Sequence, residues 1–138
     1  MITLIVGKKG TGKTKKLIQA AGEAVERSDG NVVVIEKGAK LTYDLTHRVR
    51  LVDTEQYAIN GFDMLLGFVS GICAGNYDVT DIFVDSTFKI TGKDMDMLKP
   101  FVHSLNVLAK TANTKITLLL SADESELPSD LDFDIVKI

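Results

Sequence analysis

The chain has 138 residues, 45% of them apolar and 25% charged, with a formal net charge of −3. That is the size of one domain, spanning 1–138, able to bury roughly 65–70% of its unfolded surface, and the composition excludes a disordered tract or a collagen period. The net negative charge excludes a general phosphate-backbone binder, so no direct nucleic-acid binding is expected, and no apolar stretch approaches the ~20 residues of a membrane span. The N-terminus lacks the basic, apolar and small-residue order of a signal peptide, so a cytoplasmic location and no membrane partner are expected. One cysteine, Cys73, cannot form an internal disulfide and reads as a buried thiol among Leu66, Val69 and Ile72. Charge is uneven: the first sixteen residues hold five lysines and no acid, the last sixteen hold six acids and one lysine.

Ile2 to Val6 is a β-branched-rich run ending at Gly7, as expected of a strand buried on both faces of a parallel sheet. Leu17, Ile18, Ala21, Ala24 and Val25 then recur at helical spacing, and Ser28-Asp29-Gly30 stops the helix. Val32 to Ile35 is a second buried strand, closed by Glu36-Lys37-Gly38. From Ala39 to Asn60, Leu41, Tyr43 and Leu45 alternate, then Val49 and Leu51, which predicts a small hairpin or an extra edge strand. Asn60 is expected to cap a helix with Phe62, Leu65, Leu66, Val69, Ile72 and Cys73 on one face, ended by Gly75-Asn76. Ile82-Phe83-Val84 is the next central strand and delivers Asp85 at its C-terminal end. A further helix carries Met95, Leu98, Phe101, Val102, Leu105, Leu108 and Ala109, with Pro100 either kinking it or marking where its regular part begins. Ile116 to Leu120, ending in Ser121, is a fourth central strand, and after an acidic loop Phe133 to Ile138 closes the sheet. Strands alternating with helices predict an α/β three-layer sandwich with a mostly parallel sheet and ligands at the C-terminal strand ends, where Gly7, Glu36, Asp85 and Ser121 all fall.

The stretch GKKGTGKT, Gly7 to Thr14, matches G-x-x-x-x-G-K-[ST] and has the required strand before it and amphipathic helix after it. Gly7, Gly10 and Gly12 permit backbone conformations that aim successive N–H groups of Gly7, Lys8, Lys9, Gly10, Thr11, Gly12, Lys13, Thr14 and Lys15 at phosphate oxygens, and the helix N-terminus adds partial positive charge. Lys13 would reach the β- and γ-phosphates, and the Thr14 hydroxyl would be a Mg²⁺ ligand, since that hard cation keeps most of its waters.

The first strand, loop and helix resemble the Walker A unit of P-loop nucleoside triphosphatases, and DIFVD, Asp81 to Asp85, resembles their Walker B strand. The resemblance implies that Asp85 holds Mg²⁺ through water. The layout is similar to the additional-strand branch of that superfamily, which implies a core strand order of 5-1-4-3-2 and gives Ser121 the polar sensor position beside the γ-phosphate. Most members of the branch carry a glutamate directly after the Walker B aspartate; here Ser86-Thr87 follows Asp85. In recombinase and rotary ATPases the glutamate comes from the end of the neighbouring strand, which makes Glu36 the candidate base, with a surface carboxylate as the alternative. Lys8 resembles the early lysine of partitioning ATPases, although Lys9 replaces their first glycine, and a solvated charge at the phosphate rim is the alternative. Arg48 and Arg50 are either exposed charges or donors of an arginine finger, and His47 has no partner at metal-ligand spacing.

The expected function is ATP binding with Mg²⁺ and slow hydrolysis, faster after assembly with another copy or an unidentified protein partner. The chain also looks like short stand-alone bacterial ATP-binding proteins of unassigned role. A nucleotide-dependent switch with negligible turnover is the main alternative, and a small phosphotransferase a further one, against which stands the absence of an arginine-rich lid insertion. No N/T-K-x-D base-reading motif occurs where the strand ends Leu120-Ser121-Ala122-Asp123, which favours ATP over GTP.

Overall fold

The apolar runs become the strands of one sheet in the computed structural model, which describes residues 1–129 and 133–138. The strands are β1 (Ile2–Gly7), β2 (Asn31–Glu36), β3 (Val49–Asp53), β4 (Val79–Val84), β5 (Lys115–Ser121) and β6 (Asp134–Lys137). They lie in the order β3-β2-β4-β5-β1-β6, and every neighbouring pair is parallel. The helices are α1 (Lys13–Arg27), α2 (Phe62–Gly75), α3 (Thr87–Thr91) and α4 (Met95–Ala112).

Because successive side chains of a strand point to opposite faces, the mostly apolar runs need cover on both sides. Ile5, Val32, Val34, Phe83 and Leu119 pack under α1 with Leu17, Ala21, Ala24 and Val25. Their neighbours Leu4, Val6, Val33, Ile35, Ile82, Val84, Leu118 and Leu120 pack on the other face with Leu65, Val69, Leu98, Phe101 and Leu105 of α2 and α4. The result is the expected α/β sandwich of helix, sheet and helix layers. Cys73 is buried on the α2 and α4 side, and burial raises its thiol pKa. Among the described residues no helix is long and apolar enough to cross a membrane.

Two local expectations change, and the place of Pro100 is decided. The segment after Glu36 forms no hairpin. Asp44 and Leu45 donate their N–H groups to the Leu41 carbonyl, so Leu41 and Leu45 share one side of a helical turn while Tyr43 stands 97% exposed. A four-residue spacing suits both a strand and a helical turn, and the backbone hydrogen bonds decide for the turn. Val49–Asp53 is instead the extra edge strand, parallel to β2. The N-cap of α2 is Gly61, one residue beyond Asn60, and its N–H donates to the Ile90 carbonyl. In α4 the Asp94 carboxylate caps Asp96 and Met97, so the helix begins before Pro100. The closing strand runs beside β1, while part of the acidic loop, residues 130–132, lies outside the described residues. The short helix α3 carries too few apolar positions to show a helical stripe in the sequence.

Candidate functional site

The loop between β1 and α1 folds tightly back on itself. The Thr11 N–H and hydroxyl both donate to the Lys8 carbonyl, at 3.2 and 2.7 Å, and a Cβ at Gly7 would come within 2.6 Å of the Thr11 hydroxyl. Only glycine accommodates that approach. Gly12, at φ 91° and ψ 21°, is the N-cap of α1, a left-handed conformation that swings the chain directly into the helix. Lys13 is therefore the first helical residue, and its side chain turns back over the loop: Nζ donates to the Gly7 carbonyl at 2.8 Å and the Lys8 carbonyl at 2.9 Å. Burial lowers its pKa, and the nearby Asp85 carboxylate opposes that shift. A lysine only 9% exposed at a helix N-terminus is held there against both desolvation and the helix dipole.

Thr14 follows at the second helical position and donates its hydroxyl to Asp85 Oδ1 at 3.2 Å. Asp85 directly follows β4, is 7% exposed, and its N–H donates to the Ile35 carbonyl of the neighbouring strand at 2.9 Å. Ser86 then takes the left-handed region at φ 47° and ψ 54° and starts α3. A cavity of about 540 Å³ opens here, lined by Lys9, Gly10, Gly12, Lys13, Thr14, Asp85, Ser86, Phe88, Lys89, Leu119 and Ser121. Ser121 is exposed and lies opposite Gly7 in the β1–β5 register. A second cavity of about 630 Å³ lies on the β6 side of the loop, where Lys8 and Thr11 face Asp123, Ser125 and Lys137. Lys15 is exposed on α1.

Glu36 ends β2, adjacent to β4, and is 3% exposed, yet it does not line the cavity. Its Oε1 accepts the Leu41 N–H at 3.3 Å, under the turn that follows the strand. Burial raises its pKa foremost, the backbone hydrogen bonds from Leu41 and Lys40 oppose that, and the Asp85 charge raises it further. The arginines also lie away from the loop. Arg48 donates to Glu26 at 3.1 Å and to the Val25 carbonyl at 3.3 Å, and Arg50 lines a separate cavity between β3 and α2 with Tyr57 and Phe68. His47 and His103 are both exposed.

The structure thus brings Lys13, Thr14, Asp85 and Ser121 to one cavity with Lys9, Gly10 and Gly12, sets Lys8 on the neighbouring one, and keeps Glu36 apart. Phe88 and Lys89 join the cavity without having been singled out in the sequence; the signal was their place one helical turn beyond a strand-end aspartate. No protein-family model matches the chain, and no curated protein matches it.

Proposed function

We propose that this is a P-loop nucleoside triphosphatase that binds ATP with Mg²⁺ and hydrolyses it slowly. The observation that carries the reading is the meeting of a buried lysine, a hydroxyl and a carboxylate, Lys13, Thr14 and Asp85, at a helix N-terminus on one cavity. Such a helix end favours anions through its N–H groups and its dipole, and the loop carbonyls that now hold the Lys13 ammonium are weaker partners than phosphate oxygens. The strand order supports the same reading: leaving out β3 at the edge, the remaining strands run β6-β1-β5-β4-β2, with β1 and its loop between the closing strand and β5.

Thr14 and Asp85 present hard oxygen donors, the chemistry that Mg²⁺ takes. Among the described residues no group of three or more His, Cys, Asp or Glu assembles, so phosphate and water would have to complete the coordination of such an ion. Bound there, Mg²⁺ would neutralise charge on the β- and γ-phosphates. Ser121 would donate to the terminal phosphate.

The test is calorimetry with Mg-ATP on the wild type and on Lys13→Ala, followed by single-turnover hydrolysis at several protein concentrations. Binding that ignores Lys13 ends the reading. One observation favours a nucleotide-dependent switch with negligible turnover: the Glu36 carboxylate is occupied by the Leu41 N–H instead of facing the cavity. Under the hydrolytic reading Glu36→Gln cuts turnover by about 10²-fold, a typical general-base contribution, with ATP affinity within a few-fold. Equal turnover in the variant, or none in the wild type at any concentration, gives the switch reading the lead.

A further inference from the structure

The cavity beside the loop holds more positive charge than the loop motif explains. Its wall carries Lys89 as well as Lys9 and Lys13, against the single carboxylate of Asp85. Lys89 reaches this wall because of how α3 is built. Ser86 turns the chain through a left-handed residue at φ 47°, and α3 is then pinned by Thr87 and Ile90, which are 0% and 1% exposed. The Lys89 backbone is tied in turn, its carbonyl accepting the Lys37 ammonium at 3.4 Å. The side chain itself is exposed, and among the described residues it joins no ion pair, whereas Arg27, Arg48, Lys93 and Lys137 each pair with an acid. Gathering like charges around one concavity stabilises no fold. It raises the local concentration of a polyanion.

Direction along the sheet says which part of the anion Lys89 meets. On one side of β1 lies β6, with Lys137 and the second cavity; on the other lie β5 and β4, with Ser121 and Asp85 at their ends. Lys89 follows Asp85 on that second side. Thr14 and Asp85 would hold a metal ion that neutralises charge on the β- and γ-phosphates, and Lys89, beyond Asp85, would then stand on the side of the terminal one. A lysine, a compact point charge on a flexible stem, suits a phosphate that is present in one nucleotide state and absent in the other.

We propose that Lys89 binds the terminal phosphate of a nucleoside triphosphate seated in the loop, and so makes the protein distinguish triphosphate from diphosphate. The inference rests on the P-loop reading above. The experiment is calorimetry with the β,γ-imido analogue of ATP and with ADP, both with Mg²⁺, on the wild type, Lys89→Ala, Lys89→Arg and Lys13→Ala. Lys89→Ala weakens the analogue by about tenfold, the size of one charge-assisted hydrogen bond, and leaves ADP within about twofold. Lys89→Arg keeps the analogue near wild type. Thermal unfolding of Lys89→Ala at the wild-type temperature checks the fold, as expected for an exposed side chain. Equal weakening of both ligands, or no weakening of either while Lys13→Ala abolishes both, overturns the role of Lys89 and leaves the P-loop reading standing. Failure of the wild type to bind either nucleotide overturns both together.

Discussion

Asp85 and Glu36 stand at the C-terminal ends of adjacent parallel strands, Asp85 just after β4 and Glu36 as the last residue of β2; both are almost fully buried, and their surroundings are opposite. After Asp85 the chain turns at Ser86 into α3 and moves aside, leaving the carboxylate on the cavity beside the Thr14 hydroxyl. After Glu36 the chain folds back as the Ala39–Leu45 turn, buries Leu41 to 3% exposure, and puts the Leu41 N–H on the carboxylate. A strand end selects where an acid stands; the next few residues decide whether it meets a ligand or its own backbone.

The largest effect expected on the Asp85 side comes from Lys13→Ala. It removes a buried ammonium from the proposed phosphate site, and Mg-ATP affinity falls by about 10²-fold with the fold intact, as read by calorimetry and circular dichroism. Unchanged affinity would break the comparison, because the cavity would then have no phosphate to hold.

Asp85→Asn comes next. Removing the charge proposed to face Mg²⁺ weakens nucleotide by about tenfold in Mg²⁺ and by much less in EDTA, since only the metal-dependent part is lost. Equal weakening in both buffers would make Asp85 a structural acid. The turn that separates the two acids is itself testable. Ser86→Val places a β-branched residue at φ 47° and costs about 1–2 kcal/mol in urea denaturation, while Ser86→Gly does not.

The smallest effect belongs to Glu36. Its folded pKa lies above its ordinary value of 4.5, so the folded state holds the proton more tightly than the unfolded chain. Stability from this group is fully present below the unfolded pKa and is lost as pH rises through the folded one. Glu36→Gln, neutral at every pH, therefore gains on the wild type as pH is raised from 4 towards neutrality in a series of urea titrations. A stability difference that stays flat over that range would show that Glu36 is as well solvated as a surface acid.

The helices and strands were legible where short-range spacing governs them. Ile2–Val6, Val32–Ile35 and Ile116–Leu120 are apolar runs interrupted only by Thr3 and Thr117, and both faces of each are covered. The stripe Leu17, Ala21, Ala24, Val25 predicts α1, whose buried face carries those four residues. The spacing of Gly7, Gly12, Lys13 and Thr14 places a tight loop directly at the start of a helix, because each of those residues acts on its near neighbours. Leu41 and Leu45 misled for the converse reason: one spacing satisfied two periods, and only the hydrogen bonds to the Leu41 carbonyl separate them.

By itself, then, the sequence determined the α/β alternation, the loop and the strand-end positions of Asp85, Glu36 and Ser121, all consequences of residues a few places apart. Tertiary structure alone decided that β3 joins the edge in parallel, that Glu36 is closed off by Leu41, and that Lys89 shares a wall with Lys13. Those outcomes depend on contacts between residues distant in the chain, such as the Gly61 N–H on the Ile90 carbonyl and the Asp85 N–H on the Ile35 carbonyl. Local spacing contains no information about which way a chain turns once its strand has ended; the packing of the next segment against the rest of the fold sets that direction.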